Sequence, residues 1–225
     1  PEIHHKIKSL VSSCAFVGGP SVSEFEENFA TFVQSKHCIG VGNGTDALEI
    51  ALQALQLPSD SEVIVPANTF VASAEAIRNS GLTPRFVDCN PAHLNLDPES
   101  LKNAINSKTS AVMVVHLYGQ SAPLNEIVEL CNKKNLMIIE DCAQAHGATY
   151  GGKPVGSFGA IAAYSFYPGK NLGAYGDAGV VISNNDELSK KVRMLANHGQ
   201  EKKHTHIYEG INSTIDWYIK FYNKF

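Results

Sequence analysis

Three short segments hold the residue types that chemistry uses. The first is Gly42-Asn43-Gly44-Thr45-Asp46-Ala47, which follows an apolar run and opens a helical pattern. Such a turn presents free backbone N–H groups and the positive end of a helix dipole, so it can hold a phosphate. Thr45 adds a hydroxyl donor. The segment also meets a relaxed G-x-G-x-x-A dinucleotide fingerprint, which expects an acid at the end of the second strand. Here that strand runs into Pro66-Ala67-Asn68, so a Rossmann dehydrogenase would lack its ribose anchor. A plain strand-to-helix turn accounts for the same residues.

The second segment is Glu140-Asp141-Cys142-Ala143-Gln144-Ala145-His146, directly after the apolar pair Ile138-Ile139. A carboxylate at a strand end lies where ligands gather in open α/β sheets. It can cap a helix, bind a metal or hold a protonated heterocycle nitrogen. His146 is close in sequence, but no standard ligand spacing supports a metal, and none is expected. The third segment runs from Ala163 to Gly179. A Pro168-Gly169 turn delivers one lysine, Lys170, and a glycine-rich stretch returns. A lysine in a partly enclosed place can lose its proton and attack a carbonyl, although most loop lysines are simply solvated.

Taken together, the segments offer a phosphate cradle, an acid at a strand end and a lysine on a following loop. Pyridoxal 5'-phosphate (PLP) asks for those three groups. The acid keeps the ring nitrogen protonated, so the ring accepts electrons from the substrate carbon. The lysine serves twice, as the imine partner and then as the proton carrier.

The elements that must position these residues are legible as alternating patterns. Short apolar runs at Cys38–Val41, Glu62–Val65, Pro84–Cys89, Ala111–Leu117, Leu136–Glu140, Ala160–Phe166 and Gly179–Ser183 read as strands buried on both faces of a mostly parallel sheet. Helical spacing occupies Thr45–Leu55, Phe70–Asn79, Pro98–Ile105, Leu124–Lys134 and Asp186–His198. A further helix, Ser23–Ser35, carries Phe25, Phe29, Phe32 and Val33 on one face. Its Ser23 and Glu26 have capping-box spacing. Seven strands with helices between them predict an α/β fold, a three-layer α/β/α sandwich with a mostly parallel seven-stranded sheet.

Composition narrows the function classes. The chain has 225 residues, 44% of them hydrophobic, and a formal charge of -4. That leaves no basic footprint for nucleic acid. No apolar run approaches the roughly 20 residues that cross a bilayer, and the N-terminus has no signal pattern. Five cysteines form no Cys-x-x-Cys pair, so neither a zinc site nor a disulfide framework is expected, and a reducing, cytoplasmic setting is.

The chain resembles the DegT/DnrJ/EryC1/StrS family of PLP-dependent nucleotide-sugar aminotransferases, of PLP fold type I. The resemblance rests on Gly42–Leu48 (GNGTDAL), Val63–Ser73 (VIVPANTFVAS), His116–Gly119 (HLYG), Glu140–Ala148 (EDCAQAHGA), Ser165–Gly179 (SFYPGKNLGAYGDAG) and Gly210–Ser213 (GINS). It implies Lys170 as the Schiff-base lysine and Asp141 as the partner of the pyridinium nitrogen. It implies Gln144 near the cofactor's phenolic oxygen and Phe70 stacked on the ring. Gly44, Thr45 and Ser165 would hold the phosphate. Asn212 would reach the phosphate of a partner subunit, so a homodimer is implied.

The implied reaction moves an amino group, usually from glutamate, to a keto group of a nucleotide-linked sugar. His198-Gly199-Gln200 and the Gly173-Ala174-Tyr175-Gly176 return look most like members that aminate a 3-keto sugar. TDP-linked 6-deoxy sugars and UDP-linked N-acetylated sugars both fit. Dehydratases of the same fold replace the lysine with histidine, so Lys170 points to amino transfer. Residues 1–213 read as the large, cofactor-binding domain with an incomplete N-terminus. Residues 214–225 form an aromatic tail that departs from the family, and the family's small C-terminal domain is absent. The chain therefore reads either as an enzyme incompletely represented or as a shortened domain that binds PLP without turnover, an interaction protein or decayed gene product.

Overall fold

The computed structural model describes residues 2–14 and 16–200. In chain order the elements are α1 (Glu2–Ser12), α2 (Pro20–Phe32), β1 (His37–Val41), α3 (Gly44–Leu55), β2 (Glu62–Pro66), α4 (Val71–Asn79), β3 (Thr83–Val87), α5 (Pro98–Ala104), β4 (Thr109–Val115), α6 (Leu124–Lys134), β5 (Met137–Asp141), β6 (Thr149–Tyr150), β7 (Lys153–Pro154), β8 (Ile161–Ser165), β9 (Gly179–Ser183) and α7 (Asp186–Leu195). Seven strands form one sheet in the order β1-β9-β8-β5-β4-β2-β3. The pairings of β5 with β8, β4 with β5, β2 with β4 and β2 with β3 are parallel, and only β9 runs against its neighbours. β6 and β7 make a separate hairpin.

Two apolar cores explain why the strands read as continuous hydrophobic runs. Successive strand side chains point to opposite faces. Val112 and Val114 of β4 therefore join Ile138, Ala162 and Tyr164 on one face. Ala111 and Met113 join Val63, Ile139 and Ile161 on the other. The first face is covered by Phe29, Leu101, Leu124 and Ile127 from α2, α5 and α6. The second is covered by Ala47, Leu48, Ala76, Ile77 and Val192 from α3, α4 and α7. The result is the expected three-layer α/β/α sandwich. Among the described residues, no helix is long and apolar enough to cross a membrane.

Several local expectations are corrected. α2 begins at Pro20, whose fixed φ suits a first helical position, and not at Ser23. Glu26 makes no capping box. Its Oε1 accepts the Gly40 N–H at 2.6 Å, and both its oxygens take Arg193 of α7 at 2.8 Å. Phe25 and Phe32 are 41% and 51% exposed, so the core face of α2 is narrower than expected. β3 stops at Val87, and Cys89 pairs instead with Leu96 in an isolated bridge. β4 stops at Val115, because the chain turns at Leu117–Gly119, where Tyr118 takes φ 56°. α7 ends at Leu195, ahead of His198 and Gly199 with φ of 55° and 77°.

Candidate functional site

In a sheet of this kind the carboxyl ends of the parallel strands share one edge. The segments singled out by their chemistry all arrive there. Gly42–Thr45 follow β1, Thr69 and Phe70 follow β2, His116 follows β4, Asp141 ends β5, and Ser165 and Lys170 end and follow β8.

The turn after β1 is built for close approach. Asn43 caps α3, its side chain accepting the Asp46 N–H at 2.8 Å. The first N–H groups of a helix have no intrahelical acceptor, so those of Gly44 and Thr45 point out of the helix end. A Cβ on Gly44 would lie 2.6 Å from Ser165 Cβ. Glycine is therefore what lets this turn sit against the end of β8. Ser165 is buried there, and its Oγ accepts the Tyr167 N–H at 3.3 Å.

Asp141 is 5% exposed and held on both oxygens. Ser73 Oγ donates to its Oδ2 at 2.7 Å, and the Ala143 N–H donates to its Oδ1 at 3.1 Å. Its neighbour Glu140 is fully buried on the opposite face of the strand. Glu140 Oε1 accepts the N–H groups of Phe158 and Gly159 at 2.7 and 2.6 Å. Its Oε2 accepts the Gly156 N–H at 2.7 Å and the His116 ring at 3.0 Å. His116 Nδ1 accepts the Ala122 N–H, so its ring proton sits on Nε2 and points at Glu140. Burial pushes the Glu140 carboxyl up, yet the bonds from His116, Gly159 and Gly156 outweigh it and hold the group below its ordinary value. His116, Glu140 and Cys142 gather their ligand atoms within 4.8 Å of one another. Both Glu140 oxygens are already saturated by N–H donors, so the cluster is a structural brace. The His116 N–H also donates to the Asp141 carbonyl at 3.1 Å.

Lys170 lies on the loop between β8 and β9. The neck of that loop is closed by Phe166 N–H to Ala178 O and Ala174 N–H to Phe166 O, both 2.8 Å, and Lys170 N–H donates to Tyr167 O. A Cβ on Gly173 would meet the Pro168 carbonyl oxygen at 2.5 Å, so the return strand of the loop also needs glycine. Lys170 itself is half-buried. Its charge reaches His146, whose ring nitrogens are buried with no hydrogen-bond partner among the described residues. Burial first, and Lys170 second, hold His146 below the ordinary histidine value. The Ser165 carbonyl opposes that shift without meeting hydrogen-bond geometry.

The other expected residues are placed as follows. Phe70 is the N-cap residue of α4 and is 65% exposed. Gln144 Oε1 accepts the Tyr118 N–H at 2.7 Å, which joins the segments after β5 and β4. Asn212 and the tail 214–225 lie outside the described residues. Ser73, Thr69 and the His116–Glu140 brace were given no role from the sequence. Their motifs were visible, but nothing in residue spacing shows which strand ends meet.

A three-layer sandwich whose mostly parallel sheet brings Gly44, Asp141 and Lys170 to one edge is a fold-type-I architecture. The chain belongs to the DegT/DnrJ/EryC1/StrS aminotransferase family, whose family model matches residues 1–217. It is 46% identical over 215 residues to the dTDP-3-amino-3,6-dideoxy-alpha-D-galactopyranose transaminase of Aneurinibacillus thermoaerophilus, covering 96% of this chain and 59% of that one. The crystal structure of S. venezuelae DesV in complex with a ketimine intermediate is similar at TM-score 0.83 and 38% identity, over 97% of this chain and 62% of that one. NtdA from Bacillus subtilis with bound cofactor PMP is similar at TM-score 0.83 and 35% identity, over 91% of this chain and 48% of that one. The chain spans between about half and three-fifths of the length of the most similar curated relatives, 49% at the lowest and 59% at the highest among them.

Proposed function

We propose that this chain is the cofactor-binding part of a PLP-dependent aminotransferase that moves an amino group from glutamate to the C3 keto group of a nucleotide-linked sugar. The observation that carries the reading is the meeting of three groups at one sheet edge. They are the Gly44–Ser165 contact, the buried Asp141 carboxylate and the Lys170 loop. The residues fit the cofactor. The space a Gly44 Cβ would fill is taken by Ser165, which puts a hydroxyl beside the open N–H groups of α3. That donor set suits a phosphate. Relatives that act on a dTDP-3-amino sugar or bind PMP support the same assignment.

When bound, PLP supplies an electron sink for the bond that breaks at the substrate carbon. The chain supplies the rest. Gly44, Thr45 and Ser165 bind the phosphate. Asp141 holds the proton on the ring nitrogen, from a carboxylate whose rotation is fixed by Ser73 and Ala143. Phe70 would cover a ring face, and Gln144 would lie by the phenolic oxygen. Lys170 would supply the amine that holds the cofactor's aldehyde carbon and the base that moves the proton at the substrate Cα. Asn212, by the family resemblance, would reach the phosphate of a second copy in a homodimer. We assign residues 1–213 to this large domain and place the reaction in the cytoplasm.

The test is direct. The PLP-loaded protein, given glutamate and a dTDP- or UDP-linked 3-keto sugar, is expected to yield the amino sugar nucleotide and 2-oxoglutarate, read by mass spectrometry. Bound PLP without transfer from glutamate to any such sugar would leave a cofactor-binding domain and overturn the aminotransferase reading.

A further inference from the structure

Ser73 stands among alanines at 72, 74 and 76 in α4, where alanine is also the better helix former. It is fully buried. A buried hydroxyl without a partner costs free energy, and this one has two. Ser73 Oγ lies 2.7 Å from Asp141 Oδ2 and 2.8 Å from Thr69 Oγ1. An ionised carboxylate only accepts, so the single Ser73 proton is committed to Asp141. The Thr69 hydroxyl must then donate to Ser73. The groups form a directed chain from Thr69 through Ser73 to Asp141. Hydrogen bonds to a charged acceptor are the strong ones, and linked bonds polarise each other.

We infer that Ser73, supported by Thr69, is the positioning residue that orients the Asp141 carboxylate toward the cofactor's ring nitrogen. With Ser73 on Oδ2 and Ala143 on Oδ1, rotation about the Cβ–Cγ bond of Asp141 is fixed. The lone pairs left for a ring N–H then face one direction. Phe70 and Ser73 sit on the same β2–α4 junction, so one turn of chain sets both the ring face and the ring edge. The inference rests on the PLP reading of Asp141 given above.

The experiment loads wild type, Ser73→Ala, Thr69→Val and Asp141→Asn with PLP carrying nitrogen-15 in the ring. It reads the ring-nitrogen NMR shift, the PLP dissociation constant and borohydride fixation at Lys170. Ser73→Ala is expected to retain fixation, to move the nitrogen signal part of the way toward that of Asp141→Asn, and to weaken PLP binding about tenfold, as for loss of one hydrogen bond to a charged group. Thr69→Val, which leaves Ser73 and the shape intact, is expected to move the signal the same way by less. It carries the test if Ser73→Ala does not fold. A wild-type signal and affinity in both variants, while Asp141→Asn shifts the nitrogen, overturns this inference alone. No shift in Asp141→Asn overturns the underlying reading as well.

Discussion

The end of β5 and the loop after β8 are neighbours at one sheet edge, joined by the parallel pairing of Asp141 with Ala163, and they are built in opposite ways. Around Asp141 nearly everything is dry. Glu140, His116 and Ser73 are fully buried, and their polar side-chain atoms are hydrogen-bonded: Glu140 accepts from four N–H groups, and Ser73 donates to Asp141. The Lys170 loop is held at its neck by backbone bonds, while Tyr167 and Tyr175 at its surface are 57% and 87% exposed. The difference matches the two tasks proposed for Asp141 and Lys170. An acid that must keep one geometry is locked by packing and by groups behind it. An amine that first binds an aldehyde and later carries a proton needs a fixed base and a movable end.

The comparison can be broken from either side. Removing the brace has the largest expected effect. Glu140→Ala leaves three backbone donors and the neutral His116 ring N–H unpaired, each at a cost of about 1–3 kcal/mol, read from the denaturation midpoint. Glu140→Gln does not rescue it, because an amide NH2 in either place meets N–H donors. The brace also gives stability a pH dependence. The folded Glu140 carboxyl lies below its ordinary value of 4.5. Its contribution is therefore complete above that value and lost as pH falls through the lower folded one. Glu140→Ala should flatten that acid limb.

Gly44→Ala is expected to have an intermediate effect. The added Cβ meets Ser165 at 2.6 Å, and overpacking of this kind costs about 1–3 kcal/mol. PLP affinity should fall with it in a titration of the apoprotein. The smallest effect is expected on the loop. A Cβ on Gly176 meets nothing within 4 Å, so Gly176→Ala should stay within about 0.5 kcal/mol of wild type and leave borohydride fixation unchanged. Equal losses in Glu140→Ala and Gly176→Ala would erase the distinction between the regions.

Much of this is legible in the sequence. All seven strands of the main sheet were marked by apolar runs; burial on both faces removes polar residues from the central ones, while the edge strand β3 keeps Thr83 and Arg85 and exposes Phe86. The turn after β1, the acid ending β5 and the lysine after β8 were legible through their residue types. Long-range pairing was not. Glu26 looked like a local cap but is bound to Arg193, far along the chain, because α2 and α7 both pack beside β1. Ser73 looked like one more small helix residue, and only the β2–β4–β5 order brings α4 to Asp141. The β6–β7 hairpin has strands of two residues each, too short for alternation to show.

The central claim is that Lys170 and Asp141 address one cofactor, and borohydride reduction of the PLP-loaded protein tests it most directly. Peptide mapping should find the phosphopyridoxyl group on Lys170 and on no other lysine, with none fixed in Lys170→Ala. A label on a different lysine, or one that persists in Lys170→Ala, would contradict the account.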